Sequence, residues 1–183
     1  MKKLLLIIVL IVFYTIGFAQ ESKPIEFTGV IDVEGVSASE LKSRCLNWIA
    51  IAFNDSKSII VPSSDDQLIA KPLISYSPSV LTWSERTKGT IKYTLHLQFK
   101  DNKFRYILSD FIHEGNSFAS SGSIDFGLIT TDFEYTRPIS GSTKGWKNKV
   151  WNDIKAQIDQ SILPLVESLK KGMLKENKGN DNW

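Results

Sequence analysis

A strict alternation of apolar and polar residues between Thr90 and Lys100 constrains this chain more than any other feature. Every second residue is apolar: Ile91, Tyr93, Leu95, Leu97 and Phe99. A period of two predicts a β-strand that buries one face. Asp101 and Asn102 follow, and both residue types tolerate the positive φ that a tight primed turn requires. We therefore predict that residues 89–115 form one long β-hairpin.

The turn sets the register that we expect for this hairpin. Four cross-strand pairs follow from it: Phe99 with Phe104, Leu97 with Tyr106, Leu95 with Leu108, and Ile91 with Ile112. Both strands then bury the same face, because side chains alternate between the two faces of a sheet. The opposite face carries mainly polar residues, interrupted by Ile107 and Phe111: Lys92, His96, Gln98, Lys100, Lys103 and Arg105.

The N-terminus has the pattern of a secretory signal peptide over residues 1–19. Lys2 and Lys3 precede an apolar run over residues 4–16, and small residues flank Phe18 where a signal peptidase would cut. We predict cleavage after Ala19, export to the periplasm or the extracellular space, and no stable membrane span afterwards. An uncleaved anchor is the alternative, although the run is shorter than the roughly 20 residues that a spanning helix needs.

Charge gives no support to nucleic-acid binding. The chain has 22 basic and 20 acidic residues, and two of the basic ones, Lys2 and Lys3, lie in the signal peptide. The exported chain would be close to neutral, whereas a nucleic-acid-binding domain usually has a clear basic excess. We expect no nucleic acid among its partners.

Further strands and two amphipathic helices accompany the hairpin. Strands are predicted over residues 25–33, 59–61 and 67–76, and Pro72 places the last one at an edge or a bulge. Ser37 and Glu40 fit a capping box that begins a helix over residues 38–53. A second helical pattern runs over residues 150–169, where Pro164 should kink or divide it. The order β-α-β-β-β-β-α predicts an α+β domain, an antiparallel sheet with two helices packed on one face.

We expect residues 20–172 to form this single domain. Residues 115–145 make a long insertion rich in glycine and serine. A structureless segment of that length is unusual in a compact domain, so the insertion is expected to pack against the domain, in part as short strands. Residues 173–183 are polar and are predicted to be a disordered tail.

Two stretches resemble a known family. They are VEGVSASELKSRCLNW (residues 33–48) and GTIKYTLHLQFKDNKFRYILSDF (residues 89–111). Both resemble a family of exported bacterial domains of unknown function, DUF4468, which is described as having a fold like that of the TATA-binding protein (TBP). The hairpin is the more specific match, because Arg105 follows an aromatic residue shortly after the turn. The resemblance covers residues 25–111 best, and it implies a TBP-like fold and export but no activity.

No arrangement of residues in the sequence establishes a reaction. Cys45 is the single cysteine and lies on the apolar stripe of the first helix, which favours a buried structural thiol. His96 and His113 are expected on the same hairpin face but roughly 20 Å apart, too far to share a metal ion, so both are predicted to be surface histidines. We expect no metal and no cofactor.

The leading hypothesis is a non-enzymatic binding module of the bacterial envelope, whose partner is a protein, a peptide or a surface ligand. Its contact surface would be the exposed sheet face together with residues 115–145. Six residues are proposed for the surface, one of them a loop tryptophan: Lys92, His96, Gln98, Lys103, Arg105 and Trp83. Two alternatives remain open. One is a hydrolase acting on an envelope polymer through Asp110, Asp125 or Asp132, and the other is a structural protein that self-assembles through an exposed edge strand.

The remaining loop tryptophan, Trp146, has two interpretations. It either packs at the rim of the sheet or lines a ligand surface, as exposed aromatic side chains often do. Trp48 and Trp151 lie on the helical apolar stripes and are predicted to belong to the core.

Overall fold

The computed structural model describes residues 22–53, 55–80, 84–116 and 122–174. The predicted signal peptide, Trp83 and residues 175–183 of the predicted tail lie outside these ranges. The described strands are β1 (Phe27–Asp32), β2 (Ile60–Val61), β3 (Gln67–Ala70), β4 (Leu73–Tyr76), β5 (Gly89–Lys100), β6 (Lys103–Gly115) and β7 (Gly127–Leu128). The helices are α1 (Ala38–Ala52), α2 (Ser56–Ile59), α3 (Lys144–Leu174) and a 3₁₀ helix (Glu85–Thr87).

The hairpin of β5 and β6 is the centre of one antiparallel sheet, in the order β2-β3-β5-β6-β1. Two short strands flank each long one. On the outer side of β5, β3 pairs with residues 95–98 and β4 with residues 89–92. On the outer side of β6, β1 pairs with residues 103–108 and β7 with residues 112–113. The two long strands therefore hold every other described strand except β2, which pairs with β3.

Both long helices pack on one face of this sheet, as the sequence predicts. The apolar stripe of α1 is buried: Leu41, Cys45, Trp48 and Ile49. It packs against β5, β6 and α3. The stripe of α3 supplies most of the remaining helical core, including Trp151, which is 2% exposed. Cys45 is 0% exposed, and burial raises the pKa of its thiol to about 12, as expected of a structural thiol. Among the described residues, no helix is long and apolar enough to cross a membrane.

Two prolines affect their elements differently. Pro72 separates β3 from β4, so the single strand predicted over residues 67–76 is in fact two. The Pro72 carbonyl still accepts a hydrogen bond from the Tyr93 amide (3.2 Å). Pro164 does not divide α3, which continues through it as one helix.

The predicted register of the hairpin is correct near the turn and wrong beyond a bulge. The pairs of Phe99 with Phe104, Leu97 with Tyr106 and Leu95 with Leu108 are confirmed, but Ile91 faces His113 and not Ile112. The register shifts between Lys92 and Thr94 on β5, and Asp110 on the opposite strand has a φ of 55°. One extra residue on β6 reverses which side chains of the strand face the core. Phe111 and His113 are consequently 0% exposed, whereas Ile112 is 37% exposed.

The turn of the hairpin is bonded to the start of α1. Asn102 has a φ of 65° while Asp101 does not have a positive φ, so the predicted primed turn is wrong. The carboxylate of Asp101 accepts a hydrogen bond from the Ala38 amide (2.9 Å) in the first turn of α1. The side-chain oxygen of Asn102 accepts one from the Gly35 amide (2.7 Å). These bonds fix the loop between β1 and α1 on the turn.

The described part of the insertion packs on the other end of the hairpin. β7 pairs with β6, and the Ile25 amide donates to the Ile129 carbonyl (3.1 Å). Phe126 and Ile129 are fully buried and Tyr135 is 7% exposed. These side chains extend the core past the bulge, which is why β6 can bury Phe111 and His113 there.

Candidate binding surfaces

The sheet face that points away from the helices is here called the open face. Five of the six residues predicted as a contact surface lie on it: Lys92, His96, Gln98, Lys103 and Arg105. The sixth, Trp83, is outside the described residues. In the described part of the chain, none of the open-face side chains on β1, β3, β5 and β6 is buried, although the opposite face of the hairpin is buried along its whole length.

The turn end of the open face is basic. Lys100 lies directly opposite Lys103, and Arg105 follows Lys103 on the same face. We call these three residues the basic end. Asp32 and Val30 on β1 are opposite Lys103 and Arg105. Within the described residues no carboxylate forms an ion pair with the basic end. Like charges directly opposite each other on neighbouring strands destabilise a sheet, so the fold itself gains nothing from this arrangement.

The middle of the open face is mixed in character. The Nε2 atom of His96 is hydrogen-bonded to the Gln67 side-chain oxygen (2.9 Å) on β3. His96 is opposite Ile107 on β6 and Ile69 on β3, and both isoleucines are partly exposed. A polar network and an apolar strip therefore share this part of the surface.

The other end of the open face is apolar, with its charge neutralised. The Lys92 ammonium forms an ion pair with the Glu114 carboxylate (2.6 Å). Leu73 and Ile112 are the residues paired with Lys92 on the two neighbouring strands. Leu73 is 56% exposed and Ile112 37% exposed. The open face thus runs from an unpaired basic end to an apolar end.

His113 is a buried structural residue, so the prediction of a surface histidine is wrong for it. The Phe126 amide can only donate, and it donates to Nδ1 (3.1 Å), so the proton is on Nε2, which donates to the Thr87 carbonyl (2.8 Å). The ring makes edge contacts with Tyr76 and Phe126. Burial lowers the pKa of His113, which favours the neutral ring. The bulge places His113 and His96 on opposite faces of the sheet.

The three acidic residues proposed for a hydrolase make local hydrogen bonds. Asp110 accepts one from the Ser109 hydroxyl (3.1 Å) at the bulge, and Asp125 accepts one from the Gly115 amide (2.7 Å). Asp132 accepts from the hydroxyls of Ser22 (2.6 Å) and Thr130 (2.8 Å), and these bonds lower the pKa of its carboxyl. The Asp125 carboxylate joins the insertion to the end of β6, and that of Asp132 joins Ser22 to Thr130. Among the described residues, no group of three histidine, cysteine or acidic side chains is arranged to hold a metal ion.

A groove of about 580 Å³ at the start of α3 is a feature that the sequence did not indicate. Its lining comes from distant parts of the chain: Val80, Arg86, Ile124, Ser140, Gly141, Ser142, Thr143, Gly145, Trp146 and Lys149. The Trp146 ring is partly buried against the core and also lines the groove, so its two predicted roles are not exclusive. The packing of the insertion brings these residues together, and no spacing in the sequence predicts the groove.

The architecture is that of an α+β domain with a TBP-like fold. Residues 27–114 match the model of the family described as "Domain of unknown function (DUF4468) with TBP-like fold", which confirms the resemblance of the two sequence stretches. A crystal structure of a TBP-like protein from Parabacteroides distasonis ATCC 8503 superposes with a TM-score of 0.55 at 10% sequence identity, covering 80% of this chain and 93% of that one. This likeness shows the fold alone.

A second solved structure is also similar. It is a DUF4468 family protein from Bacteroides ovatus ATCC 8483, with a TM-score of 0.49 and 12% identity, covering 80% of this chain and 86% of that one. Comparison with curated proteins gave no match.

Proposed function

We propose that this chain is an exported, non-enzymatic binding module of the bacterial envelope and that its open face binds a protein partner. The observation that carries the proposal is the open face itself, on which exposed apolar side chains lie together with the basic end, whose three cations form no ion pair with any described carboxylate. Val30 is 58% exposed, beside the basic end, and Leu73 is 56% exposed at the other end. Exposed apolar surface next to charge is typical of interaction sites.

The charge of the open face defines the partner further. The basic end places three cations within two residue positions of each other, with Asp32 as the acidic residue opposite Lys103. A partner with an acidic patch beside an apolar one would be attracted to this end and would gain apolar contacts along the face. The positive charge then contributes mainly to the association rate and to the orientation of the complex.

Export is supported by the signal-peptide pattern of residues 1–19. It is tested by Edman sequencing of the protein recovered from envelope and culture fractions. We expect a mature chain that begins at Gln20 and is found outside the cytoplasm. An intact N-terminus in the cytoplasmic fraction would contradict this part of the proposal.

The binding surface is tested by photo-crosslinking in living cells. A photoreactive amino acid is placed at Val30 or Leu73 on the open face, or at Ile51 or Leu163 on the helices, which are 86% and 58% exposed. All four positions are exposed and apolar, so the helical pair is a matched control. We expect the same adduct from Val30 and Leu73 and none from the helical positions.

The mass of the adduct distinguishes the alternatives. A different protein with an acidic surface supports the proposal, whereas an adduct of twice the chain mass supports self-assembly. An adduct from Ile51 or Leu163 alone would show that the helices carry the interface, and the proposal would be wrong.

A further inference from the structure

The groove at the start of α3 is built from three separate parts of the chain: Val80 with Arg86, Ile124, and residues within 140–149. Val80 follows β4, Arg86 lies in the 3₁₀ helix, and Ile124 belongs to the insertion. The other wall is formed by the turn that precedes α3 and by the first two turns of that helix. Its volume of about 580 Å³ falls within the range of small-molecule sites. The open face is not part of it.

The charge in this groove has one sign. Arg86 and Lys149 line it, and none of the described residues that line it is acidic. In the described ranges of the chain, neither cation forms an ion pair. The Nε atom of Arg86 donates to the Gly122 carbonyl (3.2 Å), which orients the guanidinium group. An oriented guanidinium fork is the side chain best suited to a carboxylate or a phosphate group.

The remaining walls suit an uncharged ring. Trp146 lies beside the core, its ring 6.3 Å from that of Phe126, and Val80 and Ile124 provide further apolar surface. The Ser142 hydroxyl donates to the Ile139 carbonyl (2.8 Å), and the Thr143 hydroxyl accepts from the Trp146 amide (3.2 Å). The groove therefore has an aromatic side chain packed beside the core, together with apolar side chains, hydroxyl groups and two cations.

We propose that this groove binds a small anionic sugar, that is, an uncharged ring bearing a carboxylate or a phosphate group. Arg86 and Lys149 bind the anionic group, and the Trp146 ring packs against the face of the sugar. Carboxylate and phosphate share this chemistry, so sugar acids and sugar phosphates are both within the proposal. It is independent of the proposed function of the open face.

Gly145 provides a substitution that tests the charge of the groove without disturbing the fold. An added Cβ at this position meets no described atom within 4 Å. Gly145 is the second residue of α3, where a carboxylate stabilises a helix. Gly145→Asp therefore places a negative charge at the groove while favouring the helix, and Gly145→Ala is the uncharged control.

Binding is measured by isothermal titration calorimetry on the mature chain, with glucose 6-phosphate, glucuronate and glucose as probes. We expect at least one of the two anionic probes to bind about tenfold or more tightly than glucose. Gly145→Asp and Arg86→Gln should each weaken that binding by about tenfold or more. Gly145→Ala, which adds no charge to the groove, should weaken it less than Gly145→Asp does, and Lys57→Gln, an exposed lysine on α2 away from the groove, should leave it unchanged.

The relative affinities for the two anionic probes identify which class of anionic sugar the groove binds. Preference for glucuronate identifies a sugar acid, and preference for glucose 6-phosphate a sugar phosphate. Binding by neither, equal binding of glucose, or equal affinity in Gly145→Asp and Gly145→Ala would overturn the proposal. Circular dichroism of Gly145→Asp should show an unchanged helical content, so a loss of binding cannot be ascribed to unfolding.

Discussion

The two ends of the central hairpin differ in whether simple alternation predicts which side chains are buried. From the turn to Leu95 and Leu108, every side chain lies on the face that simple alternation predicts. Beyond the bulge at Asp110 the alternation of β6 is reversed, and the strand buries Phe111 and His113. The difference shows that a turn fixes register only as far as both strands keep one residue opposite one residue.

The bulged end depends on partners that are distant in the sequence. Phe111 stacks on Tyr93 with ring centroids 5.3 Å apart and contacts Phe27 at 5.7 Å. His113 needs the Thr87 carbonyl and the Phe126 amide for its two nitrogen atoms. Phe27 and Tyr93 lie on β1 and β5, which also pair with the turn end of β6, so the partners that distinguish the bulged end are Thr87 and Phe126.

The largest expected effect tests the bulge directly. Phe111→Ala should lower the free energy of unfolding by about 3–5 kcal/mol, because it removes a fully buried ring. Ile112→Ala should lower it by about 1 kcal/mol or less, since that side chain is partly exposed. Urea denaturation of the mature chain measures both. A larger loss for Ile112→Ala would show that β6 continues the simple alternation and has no bulge.

The second prediction concerns pH and is specific to the bulged end. The pKa of His113 in the folded protein is below its ordinary value of 6.5, so the folded state favours the neutral ring. Its contribution to stability is complete above pH 6.5 and is lost as the pH falls from there through the folded-state pKa. Protonation would direct a second N–H at the Phe126 amide, which is itself a donor.

Chemical denaturation at a series of pH values from 7.5 downward checks this expectation. One proton taken up on unfolding gives a slope of at most about 1.4 kcal/mol per pH unit. Asp125 and Glu114 lie near His113 and favour the charged ring, which makes the slope shallower. His113→Gln should remove this component, and His96→Gln on the open face should retain it. An unchanged slope in His113→Gln would contradict the assignment.

The third prediction concerns the turn end. Asp101→Ala removes the carboxylate that accepts from the Ala38 amide at the start of α1. We expect a loss of about 0.5–2 kcal/mol in the free energy of unfolding, the usual cost of removing a helix-capping side chain. The free energy of unfolding of Asp110→Ala provides the comparison at the bulged end of the hairpin. A thermal melt in which Asp101→Ala matches the wild type would show that the turn does not support α1.

The smallest expected effect is a gain in stability. Lys100→Glu replaces a like-charge pair with Lys103 by an opposite-charge pair on neighbouring strands. We expect about 0.2–1 kcal/mol of added stability, which should shrink when salt is raised to 1 M. If Lys100→Glu is instead destabilising at low salt, the basic end does not have the repulsion described here.

The order of the long elements, the α+β class and the stripes of both long helices could be predicted because each depends on local periodicity. Leu41, Cys45 and Trp48 recur at helical spacing and are buried as expected. The exposure of Ile112, the burial of His113 and the groove beside Arg86 could not be predicted. They depend on how the insertion packs on the hairpin. The residues that meet there have no recognisable spacing in the sequence.

The candidate surface could likewise be predicted only in part. Alternation alone placed Lys92, His96, Gln98, Lys103 and Arg105 on one face, because all five lie on the same side of the pleat. The ion pair that neutralises Lys92 was not foreseen, since the bulge is what brings Glu114 to the same face of the sheet. The unpaired charge is therefore concentrated at the turn end.

The most direct test of the open face as a binding surface is the yield of the Val30 photo-adduct in two charge-reversed chains. One carries Glu at positions 100, 103 and 105, and the other carries Glu at Lys23, Lys57 and Lys171, which are exposed elsewhere. Both changes alter net charge equally. The proposed function predicts that the adduct is lost in the first chain and retained in the second. Equal yields from both chains would show that the basic end does not recruit the partner, and the proposal would fail.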